Sequence, residues 1–344
     1  MDVDLRGLGA ALEFPTFRRR PPWWGTDLQT LRNFLVPVPV GISDGSTTRL
    51  KLALADGSGD TLCGALHRPR SERADGVGRP LVVLIHGLSG SEDSTYMRAS
   101  AGYQLARGHP VLRLNLRGAG PSRSLCRFQY HAGRSTDLRD ALAALPADTL
   151  RHGLFLVGYS LGGNLLLKFL AEYAADFPVL GASSVSAPID LAACSRRFRE
   201  PRNRVYQWKI LRSMKRESLA PGGYVTAEES RCIRAARSVW EFDDDFVAPR
   251  NGYADAEAYY ADNMAQRFLE SIQVPTLVIQ ALDDPWVPGE AYTRYPWERN
   301  PRLIPLLPRG GGHVGFHGRG GSGVWHDRCT ALFFDEVLRR RGGS

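Results

Sequence analysis

Cysteine is scarce in this chain of 344 residues, and its distribution narrows what the protein can be. The five cysteines are Cys63, Cys126, Cys194, Cys232 and Cys329. They are scattered, odd in number and never arranged as a C-x-x-C pair, which argues against a cysteine metal site. Such a pattern is typical of reduced thiols, so we expect a cytoplasmic protein.

The chain also lacks the apolar segments of secreted and membrane-spanning proteins. Residues 1–11 carry two aspartates and an arginine instead of the apolar core of a secretion signal. The most apolar stretch, residues 154–174, contains Lys168 and Glu172, and therefore predicts protein core rather than a membrane span. A hydrophobic fraction of 43% and a charged fraction of 23% are typical of a globular protein with one large domain or two ordinary ones.

Lysine is rare as well, although the net charge is +8. Only Lys51, Lys168, Lys209 and Lys215 are lysines, so the positive charge comes mostly from arginine. Nucleic-acid binding requires basic residues on one face of a recognisable module, and neither is evident, so we expect no nucleic-acid partner. The dispersed arginines predict a solvated surface. Peripheral contact with anionic membrane lipids is the alternative.

The stretch around which the chain is organised is GYSLG, residues 158–162, with Ser160 at its centre. The apolar run at residues 154–157 is typical of a buried parallel strand, and residues 164–173 have helical spacing. A serine between glycines at a strand-to-helix junction indicates a nucleophile elbow, in which glycines permit strained backbone and close chain approach. A tight turn with a solvated serine is the alternative. The strand–turn–helix context favours the elbow.

Short apolar strands alternate with helices along most of the chain. This alternation predicts a mostly parallel sheet of about eight strands with right-handed crossovers and flanking helices, preceded by an antiparallel hairpin. The predicted strands are residues 49–55, 62–67, 81–85, 111–115, 154–157, 179–186, 276–281 and 302–307, and the predicted helices are residues 96–107, 135–145, 164–173 and 324–340.

Two segments depart from this alternation. Residues 1–45 contain five prolines and predict an N-terminal arm packed on the core of a domain at residues 46–344. In the arm, Trp23 and Trp24 could pack on the core or sit at a lipid surface, and we favour packing. Residues 190–265 interrupt the β/α order with a segment rich in arginine and aromatic residues, including a helix-like stretch at 204–215.

This insertion follows the strand at residues 179–186, so it leaves the sheet at the carboxyl edge, where open α/β sheets bind ligands. We therefore expect a cap or lid over the site. A helical excursion packed away from the site is the alternative. The aromatic residues that could line an acyl pocket are Tyr206, Trp208, Trp240, Tyr259 and Tyr260, with Trp286 beyond the insertion; simple packing is the alternative for the tyrosine pair and Trp286.

A serine nucleophile needs a base, and the base needs an orienting carboxylate. In α/β-hydrolases these groups follow in the order Ser, Asp, His, on loops after strands. Asp283 and Asp284 follow the strand at residues 276–281, and Asp284 has the spacing of a D-x-x-x-P loop. Asp284 is our choice, with Asp283 as the alternative. His313 follows three glycines after the last strand and completes the order.

An oxyanion hole needs two backbone N–H donors. The N–H of Leu161, directly after Ser160, is one candidate, and the N–H of Leu88, in the loop after the strand at 81–85, is the other. His86 precedes this donor and is interpreted as structural. A catalytic role is one hypothesis for His131, but we favour a structural role, in which its hydrogen-bonded side chain supports the site from beneath.

Several stretches in chain order resemble the YheT-like branch of the α/β-hydrolases. The resemblance implies an α/β-hydrolase fold, a triad at Ser160, Asp284 and His313, and carboxylester substrates, often with medium or long acyl chains. Asn263 and residues 60–67 depart from the pattern of many relatives without touching the triad. The matching stretches are residues 24–30, 86–96, 115–120, 130–138, 158–168, 186–191, 241–260, 275–286 and 311–316.

These observations together predict a serine hydrolase that cleaves carboxylic esters through an acyl-enzyme, with a small-molecule ester or lipid substrate and no metal or organic cofactor. One alternative is an alcohol O-acyltransferase with the same triad. The other is a non-catalytic binding protein with a hydrolase fold, against which the complete triad argues. Acyl-chain length, head group and oligomeric state are left open.

Overall fold

The computed structural model describes residue 9 and residues 12–36, 47–69 and 78–342. The parts of the predicted arm and domain at residues 1–8, 10–11, 37–46, 70–77 and 343–344 lie outside the described residues. The strands form one sheet of eight, with the order β1-β2-β4-β3-β5-β6-β7-β8. They are β1 (Thr47–Ala53), β2 (Thr61–His67), β3 (Leu81–Ile85), β4 (Val111–Leu114), β5 (Leu154–Tyr159), β6 (Val179–Val185), β7 (Thr276–Ile279) and β8 (Leu303–Leu306).

The pairing of the strands confirms the predicted fold class. β1 pairs with β2, and β2 with β4, in antiparallel register, whereas every other neighbouring pair is parallel. All five residues of β3 and all six of β5 are buried. Continuous apolar strands of this kind occur where helices cover both faces of a parallel sheet.

Helices cover the two faces of the sheet. Alternate side chains of β3 point to opposite faces, so that Val83 lies in one core cluster with Leu166 and Val82 lies in another with Phe333. The α-helices are α1 (Thr26–Leu35), α2 (Thr95–Ala106), α3 (Ser135–Ala143), α4 (Leu161–Glu172), α5 (Leu191–Phe198), α6 (Arg204–Ser218), α7 (Ala227–Ala235), α8 (Val239–Phe242), α9 (Ala248–Arg250), α10 (Ala256–Asn263), α11 (Gly289–Thr293) and α12 (Trp325–Gly342).

Short helices of other types complete the structure. A π-helix at Asp243–Val247 lies in the insertion, and 3-10 helices occur at Gly120–Leu125, Ala147–Leu150, Ala174–Asp176, Pro201–Asn203, Ala265–Arg267, Leu269–Ser271 and Trp297–Arg299. The insertion at residues 190–265 is therefore helical, from α5 to the start of Ala265–Arg267. Among the described residues, no helix is long and apolar enough to cross a membrane.

Several predicted boundaries differ from the structure by one to three residues, and two of these differences have a clear local reason. β1 ends at Ala53 instead of Ala55, because the N–H of Ala55 donates to the carboxylate of Asp140 and has left the ladder. The helix after the elbow begins at Leu161 instead of Asn164. The change from strand to helix takes place at Ser160 itself, because its carbonyl already accepts the first helical hydrogen bonds. The two glycines after Leu161 therefore belong to the helix.

The helix α1 packs with a polar face towards the rest of the protein. Gln29 and Thr30 are its buried residues, and they bond the backbone N–H groups of His317 and His313. Because this inner face is polar, the apolar side chains lie outside. Trp24, just before the helix, is 60% exposed, so the expected packing of this side chain on the core was wrong. Trp23 is partly buried beneath the guanidinium of Arg32.

Candidate active site

Ser160 stands between β5 and α4 with a backbone conformation that side chains rarely adopt. Its φ is 52° and its ψ is −124°. The N–H of Ser160 donates to the carbonyl of Val185 in β6 at 2.8 Å, and its own carbonyl accepts from Gly163 at 2.8 Å. A strained residue held from both sides in this way presents its side chain at the carboxyl edge of the sheet.

The glycines of the GYSLG stretch are required by close chain approach. A Cβ on Gly162 would lie 2.3 Å from the carbonyl oxygen of His86, at the end of β3. A Cβ on Gly158 would lie 2.5 Å from the carbonyl oxygen of Gly162. Both distances fall well below van der Waals contact, so any larger residue would displace the turn that carries Ser160.

The structure brings Ser160, His313 and Asp284 together from three separate loops. The Oγ of Ser160 lies 2.9 Å from Nε2 of His313, and Nδ1 of the same ring lies 2.8 Å from Oδ2 of Asp284. Because Nδ1 faces a carboxylate, it carries the proton and donates, which leaves Nε2 as an acceptor for the hydroxyl of Ser160.

Asp284 and Asp283 occupy different environments. Asp284 is 2% exposed, and its Oδ1 accepts from the backbone N–H groups of Trp286 at 2.8 Å and Val287 at 3.1 Å. Asp283 points elsewhere: its Oδ2 pairs with Arg19 at 3.0 Å, and its Oδ1 accepts from a backbone N–H of the glycine loop at 2.9 Å. The carboxylate that contacts His313 therefore belongs to Asp284, and Asp283 braces the loop.

The loop that carries His313 is fastened by three successive backbone N–H groups. Each donates to a side chain from a different part of the chain, so the imidazole is held by the arm, by the β7 loop and by the β6 loop together. The pairs are Gly312 with Asp283 at 2.9 Å, His313 with Thr30 at 2.9 Å, and Val314 with Ser186 at 3.1 Å.

The two predicted oxyanion donors both border the cavity at Ser160. Leu161 is the first residue of α4, and Leu88 lies in the β3–α2 loop. Within the described residues, neither backbone N–H meets a protein acceptor. The loop comes so close that a Cβ on Gly87 would lie 2.8 Å from Cβ of Ser160. Both donors are thus adjacent to the serine and available to a ligand oxygen.

His86 and His131 are held as neutral structural groups. Nε2 of His86 accepts from the N–H of Leu116 at 3.0 Å, which leaves Nδ1 to donate to the carbonyl of Gly87 at 2.8 Å. Burial lowers the pKa of His86 to about 4. Nδ1 of His131 accepts from the N–H of Gly133, and burial together with nearby arginines lowers the pKa of His131 to about 3. Neither histidine is among the residues that line the cavity at Ser160.

A cavity of about 340 Å³ opens at Ser160 and is largely lined by apolar side chains. The insertion supplies much of its wall, through Tyr206, Ile210, Tyr260 and other side chains from α5 to α10. Trp286 covers the imidazole of His313, with ring centroids 4.2 Å apart. The remaining lining residues include Leu88, Leu161, Pro188, Leu191, Cys194, Phe198, Val239 and Val287.

The expectation for the aromatic residues of the insertion was partly wrong. Trp208 is 60% exposed and does not border this cavity, because its position on α6 faces away from the residues that do, Tyr206 and Ile210. Trp240 also lies outside the lining, and Tyr259 borders only a smaller adjoining cavity. Helical spacing decides which side of α6 faces the ligand space.

Two acidic residues beside the cavities, the buried Asp243 and the partly buried Glu217, were missed by the sequence analysis. Asp243, in the π-helix, borders the cavity and accepts from the hydroxyl of Tyr260 at 2.7 Å, and burial raises the pKa of Asp243 to about 7. Glu217 accepts from the hydroxyl of Tyr130, and this hydroxyl accepts in turn from the N–H of Ser89, the residue after Leu88. Burial raises the pKa of Glu217 to about 7. No local sequence signal distinguishes them from surface acids.

No arrangement of three or more potential metal-ligating side chains occurs within the described ranges. The polar groups at the site, a hydroxyl, an imidazole, a carboxylate and free N–H donors, are those of nucleophilic acyl chemistry.

Comparison with known proteins agrees with this fold. Residues 80–319 match the family model of the alpha/beta hydrolase fold. The chain is 35% identical to YheT of Escherichia coli (strain K12) over 244 residues, which are 70% of this chain and 71% of YheT. It is 26% identical to the mouse (Mus musculus) phospholipase ABHD3 over 268 residues, 77% of this chain and 64% of that relative.

A yeast relative and a solved structure extend the comparison. The medium-chain fatty acid ethyl ester synthase/esterase 2 of Saccharomyces cerevisiae is 28% identical over 291 residues, which are 76% of this chain and 64% of the yeast protein. The chain thus spans about two thirds of the mouse and yeast proteins. The Pyrococcus furiosus esterase Pf2001 shares the fold with a TM-score of 0.52 at 15% identity, over 88% of this chain and 91% of that one. The chain belongs to the α/β-hydrolase family, in its YheT-like branch.

Proposed function

We propose that this protein is a serine hydrolase that cleaves carboxylic esters, with Ser160, His313 and Asp284 as its catalytic triad. The observation that carries the proposal is the unbroken hydrogen-bonded chain from the Asp284 carboxylate through His313 to the Ser160 hydroxyl. Each atom in it is oriented for its role: acceptor carboxylate, donor Nδ1, acceptor Nε2 and exposed Oγ.

In the first half of the reaction, Nε2 of His313 takes the proton of Ser160 as Oγ attacks the ester carbonyl carbon. The oxygen of the tetrahedral intermediate becomes negative and accepts from the N–H groups of Leu88 and Leu161. The imidazolium then gives its proton to the departing alcohol, and the acyl group stays on Ser160. Asp284 stabilises the imidazolium throughout and keeps its own charge.

In the second half, Nε2 of His313 takes a proton from water, and the water oxygen attacks the acyl carbon. Collapse of this intermediate breaks the bond to Ser160, which regains its proton from the imidazolium. The products are a carboxylic acid and the free serine. All proton transfers run through the one nitrogen that faces Ser160, so no further acid or base is needed.

The acyl chain of the substrate is proposed to be of medium or long length. The cavity at Ser160 is about 340 Å³ and its wall is predominantly apolar, which suits an alkyl chain. The names of two relatives, a phospholipase and a medium-chain ethyl ester synthase and esterase, support acyl lipids as the substrate class. Residues 190–265 are proposed to act as the cap of this acyl pocket.

Acyl transfer to an alcohol is the second candidate, because the yeast relative carries ester synthase in its name. Both reactions share the acyl-enzyme and differ only in the acceptor. Adding ethanol to the assay separates them: a transferase converts the acyl group to ethyl ester at the expense of free acid.

The test of the proposal compares wild type with Ser160→Ala on nitrophenyl esters of increasing chain length and on glycerides. We expect Ser160→Ala to abolish hydrolysis and covalent labelling by a fluorophosphonate, with unchanged thermal unfolding. Ser213→Ala is a matched control, since Ser213 also borders the cavity, whereas the hydroxyl that hydrogen-bonds to Nε2 of His313 belongs to Ser160. Undiminished labelling of Ser160→Ala would refute the assignment.

A further inference from the structure

Two helices beside the cavity carry most of the large exposed apolar side chains among the described residues. Large apolar side chains are exposed at eight positions in the described part of the chain. Six of them lie on α1 or α6 or just before α1, and we call this set the α1–α6 face: Trp24, Leu28, Phe34, Leu35, Val205 and Trp208. Contiguous exposed apolar surface of this kind marks an interaction site.

The two helices are joined across the gap between them. Asp27 of α1 accepts from the hydroxyl of Tyr206 in α6 at 2.8 Å and pairs with Arg202 at 3.1 Å. The ammonium group of Lys209 in α6 lies 3.5 Å from the ring centre of Phe34 in α1. These contacts make the α1–α6 face one surface, not two separate ones.

This surface borders the entrance to the Ser160 cavity. Thr30, Asn33 and Phe34 of α1 line the cavity, and so do Lys209 and Ile210 of α6. On α6, Val205, Trp208 and Arg212 follow at intervals of three and four residues and form one exposed stripe. Lys209 and Phe34, in contrast, connect the α1–α6 face to the cavity wall. A ligand leaving the α1–α6 face would enter the cavity directly.

The charge beside this surface is positive. Residues 204–216 of α6 contain five basic residues and no acidic one. Arg204 and Arg212 are exposed, and neither forms an ion pair with any acidic side chain that the structure describes. Unpaired arginines beside exposed Trp and Leu are typical of helices that lie in a membrane interface, where aromatic rings sit at head-group level and cations meet anionic lipids.

We propose that the α1–α6 face docks on the surface of an anionic lipid bilayer, and this inference rests on the proposed ester hydrolase function. A bilayer is a better match than a protein partner, because the face borders an apolar cavity and carries exposed arginines, and an anionic lipid supplies both an acyl chain and a negative head group. With the face on a bilayer, an acyl chain passes from the lipid into the cavity without crossing water.

Vesicle binding tests the surface itself. Wild type should co-sediment with vesicles of phosphatidylglycerol and phosphatidylcholine, more weakly with phosphatidylcholine alone, and more weakly at high salt. The double variant Leu35→Ser/Trp208→Ser should bind at least about tenfold more weakly. The double variant Arg204→Gln/Arg212→Gln should lose about 30-fold on the anionic vesicles and little on the neutral ones.

The matched control is Tyr224→Ser/Leu332→Ser, which removes the two exposed apolar side chains outside the α1–α6 face and should bind vesicles like wild type. Hydrolysis of a water-soluble acetyl ester should be the same for all variants, because none of these side chains borders the cavity. If Leu35→Ser/Trp208→Ser binds vesicles as strongly as wild type, the proposal is overturned. It is also overturned if wild type is an oligomer and Leu35→Ser/Trp208→Ser is a monomer, because the face would then be a subunit interface. Vesicle binding without any esterase activity would keep the docking surface and refute only the ester hydrolase function.

Discussion

Replacing Asp284 by asparagine should lower kcat by a factor of about 10⁴, because the change moves the proton of the His313 ring from Nδ1 to Nε2. In the wild type, Oδ1 of Asp284 accepts from the N–H groups of Trp286 and Val287, and Oδ2 faces Nδ1 of His313 at 2.8 Å. An asparagine must keep its oxygen towards the two backbone donors, since its NH₂ group cannot accept from them. Its NH₂ group therefore faces Nδ1.

An imidazole whose Nδ1 must accept carries its proton on Nε2. That nitrogen, 2.9 Å from Oγ of Ser160, then donates and cannot remove the hydroxyl proton. A factor of 10⁴ corresponds to about 5.4 kcal/mol in the activation free energy. The same substitution also removes the hydrogen bond that the Gln280 amide donates to Oδ2 of the carboxylate, a charge-assisted contact at 3.3 Å. That loss should cost about 1.5–3 kcal/mol in the free energy of unfolding.

The assay is kcat on a nitrophenyl ester, with the rate of fluorophosphonate labelling and the thermal midpoint measured on the same protein. Asp283→Asn is the matched control: it loses a partly exposed ion pair with Arg19, worth at most about 1 kcal/mol, and should keep kcat within about tenfold. If Asp284→Asn keeps more than about a tenth of the wild-type kcat, or Asp283→Asn is the more damaging change, the tautomer reasoning is wrong.

Two further predictions concern pH and packing. Because burial raises the pKa of Asp243 from about 4 to about 7, the folded state holds this proton more tightly than the unfolded chain. As the pH rises from 4 to 7, this group should therefore lower the free energy of unfolding by up to about 1.4 kcal/mol per pH unit. The free energy of unfolding of Asp243→Asn, measured with urea at several pH values, should lack this part of the pH dependence. Parallel pH curves for the variant and the wild type would contradict the prediction. In Gly162→Ala the new Cβ would lie 2.3 Å from the carbonyl oxygen of His86, so this variant should lose about 1–3 kcal/mol in the free energy of unfolding. Its thermal midpoint and its esterase activity should fall together. Gly342→Ala is the control, because its Cβ meets nothing within 4 Å, and it should change neither quantity.

Local sequence signals were sufficient for the sheet. The runs at β3 and β5 are apolar throughout, and only a strand covered on both faces buries such a run, so their position followed from composition alone. The placement of Ser160, Asp284 and His313 after β5, β7 and β8 could also be predicted, because the carboxyl ends of parallel strands meet at one edge of the sheet. Strand ends were less predictable, since a side chain distant in sequence, such as Asp140, can take a backbone N–H out of the ladder.

Which side chains face the ligand space was decided only by tertiary packing. Tyr206 and Trp208 are two residues apart in one helix and equally aromatic, yet one lines the cavity and the other is exposed, because the rotation of α6 is set by what its inner side contacts. Asp243 and Glu217 read as surface acids until the fold buries them. The backbone plan and the positions of Ser160, Asp284 and His313 could be predicted from the sequence, since they depend on local patterns of burial and turn formation. Partners, burial and protonation depend on residues far apart in the chain, so they were determined only when the chain folded.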